Sequence, residues 1–136
     1  MSKLHDIYMR TDYYAYGHVL NIGKANTGFD SFLLDRDVTT WAIITWNNPN
    51  AKKIDDALNK SRNSRLKLQL SRYFDVLLAV GRGDGWSEDS FLVLGIGREE
   101  ALWFATVGCQ VAFIYGVSGY APELIYAQPN LDDIAF

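Results

Sequence analysis

Thr45, Asn48, Trp86, Glu88 and Gln110 are the residues most suited to chemistry in this chain, because each falls where an extended segment meets a loop. Asparagine and glutamine amides both donate and accept hydrogen bonds, as does a threonine hydroxyl; an indole offers a stacking face and a glutamate a carboxylate. Polar groups at the ends of sheet strands are natural binding positions. Thr45 and Asn48 close the second expected strand, Trp86 and Glu88 precede the fourth, and Gln110 opens the fifth. Such a set suits a small polar ligand, nucleotide-like or amide-bearing. Plainer roles exist for two of them: Asn48 as a turn residue and Glu88 as a solvated side chain.

Other chemistries find less support. His5 and His18 stand thirteen residues apart without HExxH spacing or companion cysteines, so no metal site is expected. His5 reads as a mobile terminal residue and His18 as a packed strand residue. Cys109 is the single cysteine, which excludes a disulfide framework and a cysteine metal cluster. It follows Gly108 at a helix C-terminus, where the dipole opposes a thiolate, and is expected to be buried and structural. Gly81-Arg82-Gly83-Asp84-Gly85 lacks the phosphate-loop pattern and precedes a strand, leaving an anion nest or a plain connection. Gly95-Ile96-Gly97 leads into a helix, but Glu99 and Glu100 there would repel phosphate. No paired carboxylates, activated nucleophile or GxSxG element supply a mechanism. Catalytic residues and cofactors are therefore not expected, and Glu88 as a general base is the enzymatic alternative.

Composition sets the bounds. At 136 residues, 49% hydrophobic and 21% charged, the chain has the make-up of one globular domain over 1–136. The tail from about 128 is expected to be mobile unless it docks through Leu131, Ile134 or Phe136. A polar start without an apolar core segment, and apolar runs far below the roughly 20 residues of a membrane helix, point to a cytoplasmic protein. The net charge of −3 is unevenly spread. Residues 52–72 carry Lys52, Lys53, Lys60, Arg62, Arg65, Lys67 and Arg72 against Asp55 and Asp56, whereas 99–136 carry only acidic side chains. The asymmetry permits self-association or a partner, or simply two solvated faces. The overall acidity argues against nucleic acid.

The elements that would position these residues follow from periodicity. Alternation over Tyr13–Ile22 and Thr39–Trp46 predicts strands, the second apolar on both faces. Between them, Phe29–Leu34 reads as a short helix capped by Asp30 or Thr27. Asn47-Asn48-Pro49-Asn50 is a turn. A long helix over Lys52–Tyr73 carries a loose apolar stripe of Ile54, Leu58, Leu66, Leu70 and Tyr73. Strands at Val76–Val80 and Ser90–Ile96 flank the glycine loop; a helix over Glu99–Val107 and strands at Val111–Tyr115 and Glu123–Ala127 complete the order. The expected fold is α+β (mixed α/β), a mixed sheet of five or six strands covered by two main helices.

Thr45-Trp46-Asn47-Asn48-Pro49 resembles the T-x-x-N-P segment of the mainly bacterial family called domain of unknown function 3293. In that family an asparagine and a leucine follow on the next helix, matched here by Asn59 and Leu66. Its G-x-W-x-E-x-S element resembles Gly85, Trp86, Glu88 and Ser90, with Gly85 and Trp86 adjacent here. Its E-A and G-Q-x-A elements resemble Glu100-Ala101 and, with Cys109 intervening, Gly108 and Gln110 to Ala112. The similarity spans roughly Tyr14 to Tyr126. It implies no activity; it implies that Thr45, Asn48, Asn59, Trp86, Glu88 and Gln110 converge. The family position held by Trp46 is usually small, so this indole is expected to alter a pocket wall. A non-catalytic binding module is the reading these residues favour. The alternative is a protein-interaction module, such as a regulator or a phage anti-defence inhibitor, anchored by Tyr115, Tyr120, Tyr126 and Phe136.

Overall fold

Positive φ angles at Tyr16 (48°) and Gly17 (80°) fold the alternating segment 13–22 back on itself. Two consecutive left-handed residues are what a two-residue hairpin needs to match the strand twist. One expected strand is thereby two. The computed structural model describes residues 3–128, and Leu131, Ile134 and Phe136 lie outside them. In chain order the elements are α1 (Lys3–Arg10), β1 (Asp12–Ala15), β2 (His18–Leu20), α2 (Thr27–Asp35), β3 (Thr40–Ile44), α3 (Asp56–Leu70), β4 (Asp75–Gly83), β5 (Trp86–Leu94), α4 (Arg98–Val107), β6 (Ala112–Val117) and β7 (Glu123–Tyr126).

The class is α+β, but among the described residues the sheet is wholly antiparallel and has seven strands, in the order β2-β1-β4-β5-β3-β6-β7. The expectation of a mixed sheet fails because α2, α3 and α4 each connect strands that are not neighbours: β5 lies between β3 and β4, and β3 between β5 and β6, so every adjacent pair is antiparallel. Gly81 and Gly83 are paired strand residues, opposite Glu88 and Trp86, and only Asp84-Gly85 turn. Ladder pairing also consumes the backbone amides that an anion nest would require. β3 then inserts between β5 and β6 with apolar side chains on both faces, as a central strand should.

Among the described residues four helices cover the sheet, where a short helix and two main ones were expected. Leu66 and Leu70 of α3 and Ala101, Phe104 and Ala105 of α4 pack on one face with Ala42, Ile44, Phe91, Val93 and Phe113. Phe29 and Leu33 of α2 pack on the other with Tyr13, Trp41, Ile43, Leu92 and Ile114, where Tyr8 of α1 also rests. Burying each leucine completely contributes about 1.5–3 kcal/mol. α1 is polar over most of its length and buries no residue fully, so composition alone concealed it.

Local chemistry sets the ends. α2 is capped by Asn26, whose side chain accepts from Phe29 N–H at 3.0 Å and donates to Val19 O at 3.0 Å, in place of Thr27 or Asp30. α3 begins at Asp56, after an extended stretch and a 3-10 turn at Pro49–Ala51. The Glu100 carboxylate accepts from Gly97 N–H at 2.9 Å, filling the α4 N-terminus that a phosphate would occupy. Among the described residues no helix is long and apolar enough to cross a membrane.

Candidate functional site

β3 ends, β5 begins and β6 begins at one edge of the face that carries α1 and α2, and a cavity of about 310 Å³ opens there. Leu4, Ile7 and Tyr8 share one side of α1 through their spacing of three and four, and together they form a wall. Ile43, Ile114 and Leu124 form an apolar floor, with Tyr13, Trp86, Glu88 and Ser90 around it. Thr45, Asn48, Trp86, Glu88 and Gln110 all line this space. Asn59 does not; it borders a groove between α3 and the β4–β5 hairpin on the opposite face.

Most of the polar groups on this rim are committed within the protein. Asn48 adopts a left-handed conformation (φ 46°, ψ 67°), which asparagine tolerates. Its N–H donates to Asn59 Oδ1 at 2.9 Å, and its own Oδ1 accepts from Asn59 Nδ2 at 2.8 Å and from Ile54 N–H at 3.2 Å. Gln110 Nε2 donates to Asn47 O at 2.9 Å. Thr45 Oγ1 donates to Asp89 O at 2.8 Å. Asn48, Asn59, Gln110 and Thr45 therefore hold the 45–51 loop against α3, β5 and the start of β6.

Two further residues of α3, absent from the sequence expectation, complete that clamp. Asn63 Oδ1 accepts from Trp46 N–H at 2.7 Å and its Nδ2 donates to Asn47 Oδ1 at 2.8 Å. Arg62 donates to Trp46 O at 2.7 Å and to Gly108 O at 2.6 Å. The repeat of asparagine at positions 59 and 63, one helical turn apart on a polar helix, was the available signal. Trp46 is no cavity wall. It is buried on the other face, donates from Nε1 to Phe104 O at 2.8 Å, and lies so close to Gly108 that a Cβ there would collide with the indole.

Glu88 and Ser90 differ from the rest. They project from the same side of β5 as Leu92, toward the cavity, with Glu88 opposite Gly81 and Ser90 opposite Ala79. Ser90 is only 4% exposed, and its Oγ has no hydrogen-bond partner. Among the described residues, no hydrogen bond or ion pair engages the half-buried Glu88 carboxyl. Burial, with a smaller contribution from the Asp89 charge, pushes its pKa up to about 7. The Tyr8 and Tyr13 phenols are raised by burial too, and by proximity to Glu88. Gly83 lets the Trp86 indole lie against the opposing strand, since a Cβ there would strike the ring.

The remaining candidates fall elsewhere. His5 lies in α1 and shares a 2.7 Å hydrogen bond with Tyr126 Oη, so it is not a loose terminal residue. His18 packs against Phe29 and Phe32, as expected. Cys109 is exposed, contrary to expectation, because its left-handed backbone (φ 56°) turns it away from the core after α4. Among the described residues no group of three His, Cys, Asp or Glu is arranged to hold a metal ion. Tyr115 is buried, which removes it as a surface anchor; Tyr126 is partly buried, Tyr120 is exposed, and Phe136 lies outside the described residues.

A family model described as "Protein of unknown function (DUF3293)" matches residues 44–112. The match runs from the last residue of β3 to the first of β6 and contains the 45–51 loop, its α3 clamp, Trp86, Glu88, Ser90 and Gln110. No curated protein and no solved structure matches the chain.

Proposed function

The chain belongs to this DUF3293 family of proteins of unknown function, and from that premise we propose that it is a non-catalytic binding domain for a small polar molecule held in the cavity at the sheet edge. One observation carries the reading: Glu88 and Ser90 face a largely apolar cavity with their hydrogen-bonding capacity unused. A buried hydroxyl without a partner costs about 1–3 kcal/mol, and a poorly solvated carboxylate costs more, so a bound molecule that engages both would recover it. The volume lies at the small end of ligand sites.

The lining refines the expected ligand. Among the described residues it contains no Lys, Arg or His. A phosphate would find no cation there, so a nucleobase-like or amine-bearing group is favoured over a whole nucleotide. The amides of Asn48, Asn59 and Gln110 act as supports for the rim, while Glu88, Ser90 and Trp86 make contact.

A protein-interaction module is supported by a separate surface. Tyr73 is 75% and Trp103 56% exposed, and they border a shallow depression beside Glu99 and Glu100. Exposed aromatic residues of this kind are common interface anchors.

Native mass spectrometry of gently purified protein tests the cavity reading. A small-molecule adduct on the parent chain, lost in Trp86→Ala and in Ser90→Leu but retained in Trp103→Ala, is expected. An adduct indifferent to Trp86→Ala and Ser90→Leu would remove the cavity as the site.

A further inference from the structure

We infer that the molecule taken by this cavity is a small organic cation, a primary or secondary ammonium on an apolar or aromatic body, with its charged head between Glu88 and Ser90. The inference rests on the cavity being the binding site and names the ligand class for it. Glu88 is the only ionisable side chain in the described lining other than the phenols of Tyr8 and Tyr13. Ammonium groups have donors and no acceptor, and a carboxylate with a hydroxyl two residues along the same strand face can accept two of them at once. Tyr8, Tyr13 and Trp86 add ring faces that attract a cation, and Ile43, Ile114 and Leu124 suit the body behind it.

Among the described residues no Lys, Arg or His lines that place. Arg82 follows Gly81 on β4, but its side chain lies on the other side of the strand, 5.0 Å from the Tyr14 ring centroid. The titratable groups around Glu88 are Tyr8 on α1, Tyr13 on β1, Asp89 beside it on β5, and Tyr126 on β7 behind Tyr8. All of these are neutral or anionic at neutral pH, so none supplies the missing positive charge. His5 is directed to Tyr126. A neutral ligand would leave the ionised carboxylate poorly compensated, and an anion would be repelled.

Calorimetric titration of the full chain with 2-phenylethylamine, 2-phenylethanol and phenylacetate separates the charge states on one carbon frame. At pH 8 the amine is expected to bind at least about tenfold more tightly than the alcohol, with no detectable binding of the acid. Its affinity should fall as pH is lowered toward 5.5, where Glu88 is protonated. Glu88→Gln should bring amine and alcohol to similar affinities, and Ser90→Ala should weaken the amine severalfold while leaving its preference over the alcohol. Equal or tighter binding of the alcohol or the acid by the parent would overturn the cation assignment and keep the cavity as a site. Binding by none of the three, together with no cavity-dependent adduct in native mass spectrometry, would overturn both.

Discussion

At the scale of single residues, the cavity separates side chains that build the rim from those left facing it. Glu88 belongs to the second kind, and its burial has a measurable consequence without any ligand. The folded chain holds the Glu88 proton up to about pH 7, whereas the unfolded chain releases it near 4.5. Between those values the folded state binds more protons, so this contribution to stability is present at low pH and is lost as pH rises through the folded pKa. Glu88→Gln should abolish that loss and exceed the parent in stability at pH 8 by on the order of 2 kcal/mol in urea unfolding. Equal pH profiles for the two proteins would show that the carboxyl is solvated. Asn63 belongs to the first kind. Asn63→Ala leaves the buried Trp46 N–H and the Asn47 amide without their partner, and a loss of about 2–3 kcal/mol by the same measurement is expected.

At the scale of elements, α3 holds the rim and the Gly108 turn holds α4 against it. Gly108→Ala places a methyl group in the Trp46 indole, and about 2 kcal/mol of destabilisation or more is expected from thermal unfolding. An unchanged Tm would mean that the indole can move aside. Elements were legible where one force dominated. The doubly apolar 39–46 strand, the 99–107 helix and the strand at 123–127 were all visible as periodic apolar patterns, and each lies where expected to within a few residues. Elements escaped where the pattern was interrupted or faint. Alternation continues through Tyr16-Gly17, so the hairpin is marked only by backbone φ angles. Glycines at 81 and 83 suggest a loop, yet they sit in strands because Thr11, Tyr13 and Trp86 pack over them. α1 has three apolar side chains on one face and gains its contacts only after the sheet exists.

At the scale of the molecule, the sheet separates two layers with different duties. The α3–α4 side carries the larger aromatic core and the clamp on the 45–51 loop, while the α1–α2 side contains the cavity. Convergence of Thr45, Asn48, Trp86, Glu88 and Gln110 was legible in the sequence because strand ends and loops bring such residues together. The division of labour among them was not, because the bonds that join Asn48 to Asn59 and Gln110 to Asn47 span 11 and 63 positions of chain. α1 forms the cavity wall without a fully buried residue, so its amides should exchange with solvent much faster than those of α3 and slow when 2-phenylethylamine binds. Hydrogen-exchange mass spectrometry reads both effects, and α1 protection equal to that of α3 would instead mean a fixed wall. The most direct measurement is an NMR titration of the Glu88 side-chain carboxyl carbon, with and without 2-phenylethylamine. A midpoint near 7 in the free protein, moving downward when the amine is present, is the result expected of an unpaired carboxyl waiting for a cation. A midpoint near 4.5 that the amine leaves unmoved would contradict it.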